Sequence, residues 1–112
     1  MIPRCKGQIE ELSCTTVEGL TAYAYKIGKL VFVNVEGDGS NFTSAWNNYN
    51  IVTIAGVTAK KEAYSNFNNQ HGKSGSLLIA KNANVITLNY FNESSILADD
   101  SWIRGQIVFV CN

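Results

Sequence analysis

Along most of the chain, apolar and polar residues alternate with a period of two. That is the pattern of strands with one face turned inward. Residues 21–27 put Tyr23, Tyr25 and Ile27 on one face, against small or charged residues on the other. Gly28 follows, a residue that accepts the positive φ a tight hairpin needs. Residues 30–36 then set Val31, Val33 and Val35 against Leu30, Phe32 and Asn34. Because both faces are partly apolar, this strand is expected to be central and covered on both sides. Residues 50–57 are strand-like up to Ala55-Gly56. Residues 60–67 alternate as a strand, with a short helix left open. Residues 76–80 and 84–91 form a hairpin across Lys81-Asn82-Ala83-Asn84, where Asn tolerates the left-handed conformation. The final strand, residues 101–110, alternates Ile103, Gly105, Ile107 and Phe109 with Trp102, Arg104, Gln106 and Val108.

No window carries a helical apolar stripe longer than two turns. Seven or eight short strands predict an all-β fold, an antiparallel β-sandwich or jelly-roll-like domain. At 112 residues the chain holds one core. Residues 1–18 read as an N-terminal connector or first strand, and residues 19–112 as the β domain. Two segments escape the pattern. Residues 41–50 carry Phe42, Trp46 and Tyr49 among several Asn, and residues 68–75 form a second polar loop.

Composition narrows the function. Nine basic residues balance nine acidic ones, which argues against nucleic acid, because phosphate binding relies on a surplus of Lys and Arg. The longest apolar runs have four and five residues, against about 20 for a membrane span, so no membrane insertion is expected. Charged residues make up 16%, below the roughly 25% of an average domain, and thirteen Asn help fill the gap. Such an amide-rich surface suits neutral polar partners.

Saccharide sites combine a flat aromatic face with fixed amide or carboxyl groups. Trp46, Asn48 and Tyr49 offer that combination within four residues. Asn69 and His71 on the second loop supply a polar rim. The competing reading makes Trp46 a core residue capping the fold and His71 a solvated bystander. The adjacent Asp99 and Asp100 point to opposite faces of an extended chain and do not form a metal site. Cys5, Cys14 and Cys111 lack metal-ligand spacing, and Cys111 reads as a small buried apolar group. No catalytic signature is present, and no cofactor is implied.

Four segments together resemble a known family. They are the hairpin of residues 24–35 (Ala24-Tyr-Lys-Ile-Gly-Lys-Leu-Val-Phe-Val-Asn-Val35), residues 52–57, the hairpin of residues 77–88, and the closing strand Ser101-Trp-Ile-Arg-Gly-Gln-Ile-Val-Phe-Val110. Their order resembles the C-terminal head domain of phage and prophage tail-fibre or receptor-binding proteins of Gram-positive bacteria. The chain departs from that pattern at Ala55, where Pro is usual, and at Ala83-Asn84, which replaces an Asn-Gly turn. The resemblance implies a homotrimeric β-sandwich head on the virion tail. It would be attached to the remainder of a fibre or baseplate and bind a host cell-surface glycan without catalysis. Two alternatives stay open: a purely structural trimeric tip without ligand, and a polysaccharide-degrading tailspike fragment.

Overall fold

A computed structural model describes residues 9–38, 49–69, 74–90 and 102–112. Among these residues the regular structure is nine strands: β1 (Glu10–Leu12), β2 (Cys14–Thr16), β3 (Leu20–Ile27), β4 (Leu30–Asp38), β5 (Tyr49–Ile54), β6 (Ala63–Asn69), β7 (Ser74–Ile79), β8 (Val85–Tyr90) and β9 (Trp102–Val110). All join one antiparallel sheet in the order β1-β3-β4-β9-β6-β7-β8-β5-β2. The all-β expectation holds in this form. Residues 63–69 are a strand, and the helical option is not realised there.

The two edge strands are neighbours in sequence, separated only by Ser13. Leu12 pairs with Ala24 of β3, and Cys14 pairs with Ile54 of β5. One extended segment therefore changes partner at Ser13 and holds both edges of the sheet. The Ser13 carbonyl accepts from the Ala55 amide at 2.9 Å. The Thr16 hydroxyl donates to the Leu20 carbonyl at 2.8 Å. The sheet is thereby nearly closed into a barrel, and few backbone groups are left on an open edge.

Closure gives the sheet one inside, which period-two strands fill from one face each. Val31, Val33 and Val35 of β4 meet Ile107 and Phe109 of β9, Leu77 and Ile79 of β7, and Ile86 and Leu88 of β8 in the core. Each such side chain contributes on the order of 1.5–3 kcal/mol on burial. Cys111 is buried beside them, as its apolar pattern predicts. A register shift between Asn50 and Val52 lets both Ile51 and Val52 turn inward.

The inner face of β3 is its small-residue face. Ala22 and Ala24 stand opposite Val35 and Val33, while Tyr23 lies exposed on the outside. β4 is central, between β3 and β9, but it is not covered on both sides. Leu30, Asn34 and Glu36 are exposed on its outer face and Phe32 is half-buried. A sheet wrapped round one core has no second layer to cover its outside.

Two turns follow from local chemistry. Gly28 has φ 61° in the two-residue loop between β3 and β4. Asn82 has φ 65° between β7 and β8, so Asn meets the left-handed requirement there. Across the register, Asp38 pairs with Trp102, Ile103 with Asn69, Asn68 with Ser74, and Gly75 with Tyr90. These strand ends all lie at one end of the barrel, opposite the Gly28 turn.

Gly105 keeps β6 against β9. A Cβ added there would lie 2.7 Å from Phe67 Cβ and 2.9 Å from Leu77 Cδ1. Gly105→Ala is therefore expected to lower stability by about 1–3 kcal/mol, the usual range for overpacking. Urea denaturation checks this, and an unchanged midpoint would refute it.

Candidate functional site

Two neighbouring features carry polar chemistry: the loop end of the barrel and a groove on the outer face beside it. The loop end is built by chain order. β4 ends at Asp38, β5 begins at Tyr49, β6 ends at Asn69, β7 begins at Ser74, β8 ends at Tyr90 and β9 begins at Trp102. The strand ends that flank residues 39–48, 70–73 and 91–101 thus lie at the same end. Of the residues predicted for a saccharide platform, Trp46, Asn48 and His71 lie outside the described residues. Tyr49 opens β5 opposite Leu88, half-buried against the core. Asn69 closes β6 opposite Ile103. Asp99 and Asp100 are also outside the described residues.

The groove follows from pairing across β4, β9 and β6. It has a volume of about 490 Å³, within the roughly 300–1,000 Å³ of small-molecule pockets. Asn34 pairs with Gln106, and Glu36 with Arg104, across β4 and β9. Asn66 completes the polar lining from β6. All five side chains are exposed, which places the groove on the outside of the barrel. Their polar ends make no hydrogen bond or ion pair with other described residues, so both donors and acceptors are available to a ligand. Glu36 and Arg104, directly opposite, leave the lining without net charge.

Aromatic rings border these polar groups. Tyr23 is 47% exposed and pairs with Asn34. Trp102, 44% exposed, precedes Arg104 by two residues on the same face of β9. Tyr64, 72% exposed, stands in the same relation to Asn66 on β6. The alternation in the sequence set Trp102, Arg104 and Gln106 on one strand face but did not mark them as a site. It missed their grouping with Asn34, Glu36 and Asn66, because three separate segments supply the lining.

Farther along the same outer face, toward the Gly28 turn, the lining becomes apolar. Leu30 pairs with Val110, and Phe32 with Val108. Leu30, Val108 and Val110 are exposed. The outer surface of β4 and β9 is thus divided, polar toward the loop end and apolar toward the turn.

Other chemistry is sparse. Among the described residues no group of three His, Cys, Asp or Glu stands together to hold a metal ion, and no helix is long and apolar enough to cross a membrane. Cys14 and Cys111 are free thiols. No family model, curated protein or solved structure matches the chain.

Burial pushes the Cys14 thiol above its ordinary pKa by penalising the thiolate. The folded chain therefore holds this proton more tightly than the unfolded chain. The associated stability is fully present below the ordinary thiol pKa and is lost as pH rises from there through the higher folded value. Cys14 is accordingly expected to alkylate with a pH midpoint above that of an unstructured cysteine peptide. Iodoacetamide labelling followed by mass spectrometry across pH 7–10 measures this, and a midpoint at or below the peptide's would contradict it.

Proposed function

We propose that the chain is a non-catalytic receptor-binding head of a phage or prophage tail fibre. In this reading it is homotrimeric, carried on the virion tail, and attaches to a host cell-surface saccharide. The observation that carries the reading is that six strand ends, those of β4 to β9, gather at one end of the barrel. Of the residues that read as a saccharide platform, Tyr49 and Asn69 are themselves strand ends there, and Trp46, Asn48 and His71 lie in the sequence between those ends. Rigid scaffolds that gather variable segments at one end are a common way to build a binding surface.

The resemblance in the two hairpins and the closing strand supports the fibre-head part of the reading. The nesting of β4–β9 around β5–β8 around β6–β7 is compatible with a jelly-roll-like head. Trimerisation gives the apolar half of the outer face a role. Packing Leu30, Phe32, Val108 and Val110 against other copies would remove them from water. A lone domain of this size buries only about two thirds of its unfolded surface, so that burial would add stability. Three weak saccharide sites on one tip also raise avidity without any new contact.

The test is binding of purified protein to a glycan array and to cell-wall polysaccharide from Gram-positive hosts. Wild type is expected to bind, and Trp46→Ala to lose at least about tenfold in apparent affinity, the equivalent of 1.4 kcal/mol. Absence of binding by wild type would favour the purely structural tip. Sustained release of reducing ends from the polysaccharide would favour the tailspike fragment.

A further inference from the structure

The geometry points to a second saccharide site on the outer face of β4, β9 and β6, selective for uncharged sugars and built on Trp102 rather than Trp46. This inference rests on the proposed saccharide-binding function and adds both a location and a ligand class. Three observations carry it.

The first is the groove itself, an open depression of about 490 Å³ whose lining offers three amides, one carboxylate and one guanidinium. A sugar hydroxyl is both donor and acceptor. Glu36 can only accept, Arg104 can only donate, and Asn34, Asn66 and Gln106 do both. Such a set matches a ring bearing several hydroxyls better than it matches an ion.

The second is the arrangement of aromatic groups. Trp102 and Gln106 stand four residues apart on one face of β9, a separation of ~13 Å at the usual strand rise. A sugar ring stacked on Trp102 leaves space for a second ring over the amide row, with Tyr23 flanking it. Stacking of sugar C–H groups on an indole uses the apolar body and polar rim that make Trp frequent at such surfaces.

The third is charge. Arg104 stands directly across from Glu36, so the guanidinium field that would draw a carboxylate or phosphate is offset at the point of contact. An anionic sugar placed on Arg104 would also approach Glu36. An uncharged sugar uses both groups without that penalty, and its binding is insensitive to salt.

The chain has two Trp, and they mark the two sites separately. The experiment is a nitrogen-15 NMR titration of the intact protein with methyl glycosides of glucose, galactose and N-acetylglucosamine, and with glucuronic acid and glucose 6-phosphate. Each is taken to about 50 mM, since a lone weak site lies in the millimolar range. The expected result is that a neutral glycoside shifts the Trp102 indole signal and the side-chain amide signals of Asn34, Asn66 and Gln106. These shifts should saturate and be unchanged by added salt. Arg104→Ala replaces an exposed side chain, and it should weaken binding at least about tenfold, a loss typical of a hydrogen bond to a charged group. The remaining spectrum of the variant should be preserved.

Shifts confined to the Trp46 indole would overturn this inference and leave the proposed function standing. Stronger binding of either anionic sugar at the Trp102 site would overturn the uncharged class. No shift at either indole, together with no polysaccharide binding by wild type, would remove the proposed function as well.

Discussion

The structure depends on one constraint: a single short segment, changing partner at Ser13, holds both edges of the sheet. Leu12 is registered on β3 and Cys14 on β5, so the sheet must curl until its ends meet. Curling creates one interior, and every long strand contributes one face to it. The small residues of β3 turn to that interior, where Ala22 and Ala24 lie beside their register partners Val35 and Val33. So does Gly105, where any side chain would collide with Phe67 and Leu77.

The same closure leaves the outer face of β4 and β9 without an intramolecular partner. That face is ordered by cross-strand rows. Leu30–Val110 and Phe32–Val108 lie toward the Gly28 turn, and Asn34–Gln106 and Glu36–Arg104 lie toward the loop end. A strand apolar on both faces would usually signal two covering layers. Here one layer is the core, and the other, in the proposed assembly, comes from neighbouring copies. The polar rows would then sit at the margin of the contact, open to ligand and next to the gathered strand ends.

Much of the fold was legible in the sequence because strand alternation and turn chemistry are local. Val31, Val33 and Val35 announce an inward face without reference to any other residue. Gly28 and Asn82 mark turns through their own backbone freedom. Closure was not legible. Glu10–Leu12 and Cys14–Thr16 are three residues each, too short for alternation to register, and their partners lie on opposite edges. The sequence does not say which face of β3 turns inward, since tyrosines suit either the core or a wet surface; in the structure Ala24 is buried and Tyr23 exposed.

The groove was illegible for a related reason. Asn34, Asn66 and Gln106 are ordinary polar residues in their own strands. They acquire meaning only when β9 returns between β4 and β6, a register set by distant pairing. Arg104 and Trp102 were visible as a pair on one strand face, but Glu36 opposite them was not. The loop residues were the reverse case. Trp46, Asn48 and Tyr49 stand out by composition, and of these Tyr49 is the one the described residues place, at the start of β5 and half-buried against the core.

Association through the open apolar face is the claim on which the proposed assembly and its avidity rest. Size-exclusion chromatography with multi-angle light scattering at micromolar concentration addresses it directly. The account predicts the mass of three chains for wild type and of one chain for the double variant Phe32→Lys, Val108→Lys. A wild-type mass of one chain under those conditions would contradict it.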